Sequence, residues 1–149
     1  MKIPEPLFKI INPIIGLLLR SPAHFLMSGS LLLITFTGVR TGRSYSTPLR
    51  YVRDGETIRC FTSKDTRWWR NLREGARVWL TLQGVGTPYQ ASIIVDEPRR
   101  IRQLLTDYFR QHPGDAAYHN VAVSKDGRLS ENDMDRAASQ AVVMEARPA

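Results

Sequence analysis

Cysteine occurs once in this chain, at Cys60, so no internal disulfide braces the fold. The 149 residues must hold together by a hydrophobic core, and that length suits one domain over residues 1–149. A lone thiol fits a reducing, cytoplasmic setting. Cys60 falls in an expected strand, without a sequence neighbour that would lower its pKa, and reads as a core thiol rather than a nucleophile. Histidine is also scarce. His24, His112 and His119 show no metal-ligand spacing, so no metal is expected. Walker A, G-x-G-x-x-G and G-x-S-x-G motifs are all missing. No apolar run reaches the roughly 20 residues of a membrane span, since Arg20, Pro22 and His24 interrupt it. There is no lysine/arginine block either. The net charge of +7 is scattered, which argues against nucleic acid and leaves an anionic small molecule or a membrane surface.

What is present concentrates at residues 37–49, T-G-V-R-T-G-R-S-Y-S-T-P-L. The stretch holds two glycines, two arginines and five aliphatic hydroxyls. Glycine lets a backbone turn sharply and approach a ligand closely. Arginine forks match phosphate and carboxylate, and turn amides form an anion-binding concavity. The stretch reads as a strand–loop–strand gripping an anionic small molecule. A solvated turn of ordinary turn residues accounts for the composition equally well.

The rest of the chain frames that loop. Residues 1–28 form an apolar segment in which Leu7, Ile11, Ile14, Ile15 and Leu18 share a helical face. It is expected to cover the open end of a barrel, in partial overlap with lying at a membrane surface. Residues 31–36 read as a strand covered on both faces. Residues 46–53 and 57–63 flank Asp54-Gly55, a strong hairpin signal. A short helix is expected over 66–73, strands over 77–83 and 89–95, and a helix over 97–112 with Pro98 in its first turn. Residues 115–128 read as a loop or short helix, 130–140 as a helix capped by Ser130, and 141–145 as a last strand. Antiparallel strands with inserted helices indicate a small barrel of the α+β, mainly β, kind. Lys64 and the Trp68-Trp69 pair bring positive charge beside aromatic surface, which suits a flat ring with an anionic tail. Both tryptophans serve equally well as core anchors, with Lys64 solvated.

The segment T-G-V-R-T-G-R-S-Y-S-T-P-L-R-Y-V-R-D-G resembles the T-G-R-K-S-G-R-x-R-x-x-P-L-x-Y-x-x-D-G signature of deazaflavin (F420)-dependent nitroreductases and quinone reductases. The later S-K-D-T-R-W-W-R-N-L is similar to that family's second cofactor segment, though shorter and without its two glycines and proline. The resemblance implies a split β-barrel of the FMN-binding, pyridoxamine-phosphate-oxidase-like type. It implies an oxidoreductase that passes a hydride from reduced coenzyme F420 to a quinone, a nitro compound or another electron-poor acceptor. Its expected partners are the anionic flavin-like cofactor, a small hydrophobic substrate and, additionally, the inner face of a membrane. FMN or haem in the same cradle is the alternative, as is a non-catalytic binder of lipid or another anion. Arg40 takes the place of the family's phosphate-binding lysine, and Arg43 its following basic residue. Thr41, Gly42, Ser46, Thr47 and Pro48 complete the first cofactor segment, and Lys64, Trp68, Trp69 and Asn71 supply the second. Tyr118, the one tyrosine after the 97–112 helix, is the expected catalytic residue.

Overall fold

The structure is a computed structural model and describes residues 31–149. The expected N-terminal segment, residues 1–28, lies outside the described residues. Seven strands build one antiparallel sheet: β1 (Leu31–Thr37), β2 (Ser44–Arg50), β3 (Val52–Asp54), β4 (Thr57–Ser63), β5 (Ala76–Leu82), β6 (Val85–Ile94) and β7 (Ala141–Pro148). Their order is β2-β1-β5-β6-β7-β4-β3. The two outermost strands, β2 and β3, are separated in sequence by Tyr51 alone. The sheet therefore curls until its edges meet, which removes most of its unpaired edge.

The expected 46–53 strand divides at Tyr51 because it changes partner. β2 pairs with β1, from Leu31↔Arg50 to Thr37↔Ser44, whereas β3 pairs with β4. β6 starts earlier than expected, at Val85, and includes Pro88. Pairing with β7 begins only at Tyr89, so Pro88 sits where a missing N–H is tolerated.

Residues opposite one another in an antiparallel pair point to the same face. Leu32, Ile34 and Phe36 of β1 point inward, as do Ile58 and Cys60 of β4 and Val142, Met144 and Ala146 of β7. Trp68, Trp69 and Leu72, on a 3-10 helix (Trp68–Leu72), join this interior. The opposite face of β7 and β4 carries a second core. There α1 (Pro98–Gln111) and α2 (Glu131–Gln140) bury Ile101, Leu105, Tyr108, Phe109 and Met134. Ser130 caps α2 by accepting the Asp133 N–H at 3.3 Å. A further 3-10 helix, Pro113–His119, follows α1.

Strand polarity fixes what gathers at each end of the barrel. The C-terminal ends of β1, β4 and β6 and the N-terminal ends of β2, β5 and β7 lie together. The 38–43 turn, Lys64, the Trp68–Leu72 helix and Asp96 therefore share one end. Among the described residues no helix is long and apolar enough to cross a membrane.

Cys60 is 1% exposed within the barrel, and burial pushes its thiol well above the ordinary value. Cys60→Ser keeps the shape and adds an unpartnered hydroxyl to an apolar interior. It should cost about 1–3 kcal/mol in urea denaturation. An unchanged midpoint would mean that the interior there is hydrated.

Candidate functional site

The 38–43 turn is closed by its own backbone. Gly38 N–H donates to the Arg43 carbonyl at 2.8 Å, and Gly42 N–H donates to the Gly38 carbonyl at 2.9 Å. Gly42 takes φ +67, the left-handed region that glycine adopts without a Cβ clash. Gly38 is required for space: a Cβ there would meet Cε2 of Tyr45 at 2.6 Å. Thr41 Oγ1 lies 3.0 Å from the Tyr45 hydroxyl and accepts the Arg43 N–H at 3.2 Å. Tyr45 thus lies across the base of the turn, with its ring 5.9 Å from that of Phe36.

Asn71 fastens this turn to the second segment. Its Oδ1 accepts the Val39 N–H at 3.0 Å, and its Nδ2 donates to the Trp68 carbonyl at 3.1 Å. One side chain thereby joins two stretches separated by 32 residues. Arg40, Thr41, Gly42 and Arg43 are exposed around the turn, with Asn71 half-buried beside them.

Other expected site residues are distributed differently. Thr47 is 2% exposed, opposite Ile34 on the inward face. Ser46 and Pro48 point outward, and the Ser46 hydroxyl lies 2.8 Å from that of Thr35. The three therefore do not share one surface. Trp68 and Trp69 are both buried, as core anchors would be. The Trp68 ring lies 6.4 Å from Phe36, directly behind the turn. Trp69 Nε1 is a buried donor with no hydrogen-bond acceptor. Lys64 sits at the same barrel end and donates to Asp96 at 2.6 Å, and that bond holds the Asp96 carboxyl below its ordinary pKa. Asp96 has a left-handed backbone, φ 59, and nothing in its sequence context marked it as the partner of Lys64.

Tyr118 lies elsewhere. It is 76% exposed on the Pro113–His119 helix. Among the described residues no contact joins it to the turn, Lys64 or Asn71. Its helix is instead anchored by a network that the sequence did not reveal. Arg50 Nη2 donates to Asp115 Oδ1 at 2.8 Å, Arg50 Nε donates to Oδ2, and the Tyr108 hydroxyl donates to Oδ2 at 2.5 Å. Burial works to raise the Asp115 carboxyl, but these bonds and the Arg50 charge outweigh it, so it stays below the usual carboxylate range. Burial and Asp115 together push the Tyr108 phenol up. Tyr108 also stacks on Phe61 at 4.7 Å and 7°.

A flat anionic cofactor needs cationic forks, free turn amides and a rigid backing. The turn supplies Arg40 and backbone N–H groups, Asn71 and Tyr45 fix its shape, and Phe36 and Trp68 back it. The unsatisfied Trp69 donor adds a polar group without a protein partner in the same segment. The residues present fit such a group.

Two outcomes test the network. Asp115→Ala leaves the Arg50 fork and the Tyr108 hydroxyl without their acceptor and should cost about 2–4 kcal/mol in urea denaturation. The second concerns His119, whose ring meets Phe61, Tyr108 and Phe109. Burial lowers its pKa from 6.5, with Asp115 partly opposing. A histidine held neutral when folded takes up its proton more readily when unfolded, so its contribution is present above about pH 6.5 and lost below. The melting temperature should fall as pH drops through this range, and His119→Phe should flatten that part of the profile.

Comparison with known proteins follows from this geometry. A family model described as F420H(2)-dependent quinone reductase matches residues 21–125. No curated protein matches the chain. Among solved structures, a domain-swapped dimer aligns at 17% identity over 95% of this chain and 99% of its own, with a TM-score of 0.54. A relative of general stress protein 26 from Clostridium acetobutylicum, of the pyridoxinephosphate oxidase family, aligns at 14% identity over 98% and 86%, with a TM-score of 0.51. These two support the split-barrel fold. The FAD and haem binding protein from Mycobacterium smegmatis aligns at 19% identity over 87% of this chain, with a TM-score of 0.48, and this chain spans 66% of its length. Since the family match covers most of the chain, this protein belongs to the F420H(2)-dependent quinone reductases, oxidoreductases whose cofactor is coenzyme F420.

Proposed function

We propose that this chain transfers a hydride from reduced F420 to a quinone or a similarly electron-poor acceptor such as a nitro compound. The observation that carries the reading is the 38–43 turn, preshaped by Gly42 and Tyr45 and tied by Asn71 to the second cofactor segment. The bound deazaflavin supplies the hydride; the protein binds, orients and shields it. Arg40 offers a planar fork to the cofactor phosphate. Neighbouring backbone amides contribute partial positive charge at the same place. Arg43 stands on the other limb of the turn, where it reinforces the positive field. Ser46 and Pro48 border the turn on the outward face of β2. Thr47 acts from inside the barrel by holding β2 in register. Trp68 and Trp69 act as the rigid floor under the site, and Lys64 is oriented by Asp96.

We assign no proton-donating step to Tyr118. Its place in the reaction is as an exposed side chain on the Arg50-anchored helix, open to the acceptor side.

Arg40→Ala tests the reading directly. Loss of a charge-assisted contact should weaken F420 binding by about 1.5–3 kcal/mol, or roughly 10- to 150-fold, in a fluorescence titration. Arg40→Lys should recover part of the loss, because it restores the charge without the fork. Arg53→Ala, at the opposite end of the barrel, should leave affinity unchanged. Equal affinities for wild type and Arg40→Ala would remove the anion-binding role of the turn.

A further inference from the structure

Most arginines of the helical layer are paired. Arg59 meets Glu145, Arg102 meets Glu131 and Asp135, and Arg136 meets Asp133. The barrel end that carries the 38–43 turn is different. Arg40, Arg67, Arg70 and Arg73 are all exposed there, and among the described residues none of the four has an ion-pair partner.

Three of them are arranged by the backbone. Arg70 N–H donates to the Arg67 carbonyl at 3.1 Å, and Arg73 N–H donates to the Arg70 carbonyl at 3.4 Å. Successive i→i+3 bonds define a 3-10 turn, in which such side chains eclipse one another at about 6 Å per turn. The three arginines therefore stand in one row. The Arg70 and Arg73 guanidiniums lie 5.3 Å and 5.5 Å from the Trp69 ring, which restricts where these charges sit. Asn71, between them in sequence, ties this helix to Val39. Val39 is 73% exposed. One end of the molecule thus presents a fixed arginine row beside an apolar tip.

We infer that this end docks on an anionic lipid bilayer. Unpaired guanidiniums lose little water on meeting lipid phosphates and gain the attraction of the surface potential. The exposed Val39 side chain is rewarded by a bilayer, whereas a nucleic acid offers it nothing. Single-stranded nucleic acid is held on exposed aromatic platforms, and here both tryptophans of the helix are buried. The choice of lipid over other polyanions rests on the quinone reading, since apolar quinones partition into bilayers. Docking would set the site mouth against the phase that holds the acceptor.

The test is co-sedimentation of the full chain with vesicles of phosphatidylcholine alone or with phosphatidylglycerol added at about one part in four. Binding to the anionic vesicles at about 50 mM salt, and its loss at about 500 mM, is expected. The triple change Arg67→Gln, Arg70→Gln, Arg73→Gln should weaken that binding by roughly a hundredfold, at about fivefold per charge near the surface. F420 affinity of the triple variant should stay at the wild-type value, which separates docking from cofactor binding. Equal binding to neutral and anionic vesicles overturns the inference, and these wild-type measurements stand even if the variant folds poorly. It is equally overturned if the triple variant binds as wild type does, or if wild type prefers duplex DNA to anionic vesicles. Vesicle binding without F420 binding would leave the docking surface standing and remove the proposed function instead.

Discussion

Closure of the sheet at Tyr51 is the constraint on which the other features depend. One residue joins strands at opposite ends of the sheet order, so β2 leaves β1 at the point where β3 must meet β4. That geometry gathers the cofactor turn, Lys64 and the Trp68–Leu72 helix at one end of the barrel. It also gives β2 two different faces. The inward face, with Thr47, is committed to the core, while the outward face, with Ser46, Pro48 and Arg50, is left to chemistry and to anchoring.

Arg50 shows how the two layers depend on each other. Its fork leaves the sheet and captures Asp115, which Tyr108 also holds. A buried carboxylate with two donors is stable only while both remain, so the helical layer cannot slide relative to β2 without exposing an unpaired charge. The stack of Tyr108 on Phe61 adds a second constraint from β4. The strand that bears the cofactor turn is thereby held from behind, away from the ligand.

The fold was largely legible because its signals are local. Alternation along β5, the Asp54-Gly55 turn, the apolar face of α1 and the Ser130 cap each follow from residues within a few positions of one another. The turn at 38–43 was legible for the same reason, since glycine spacing and arginine forks are properties of contiguous sequence. The division of one expected strand at Tyr51 was hidden, because alternation does not record a change of partner. Lys64–Asp96 and Arg50–Asp115 were also hidden. Each joins residues brought together only by topology, and neither carboxylate has a distinctive neighbourhood in sequence. The two tryptophans remained ambiguous because burial depends on what packs above them, and the structure places both in the barrel interior.

The single cysteine gives the molecule an internal clock. Cys60 lies inside the barrel, and its thiol is held protonated by the apolar surroundings. An alkylating reagent reaches it only when strands part, and only a thiolate reacts. With no second cysteine to contribute background, the rate of its modification counts openings of the barrel. A ligand seated at the 38–43 turn, bridging β1 and β2, would slow that count without touching the sulfur.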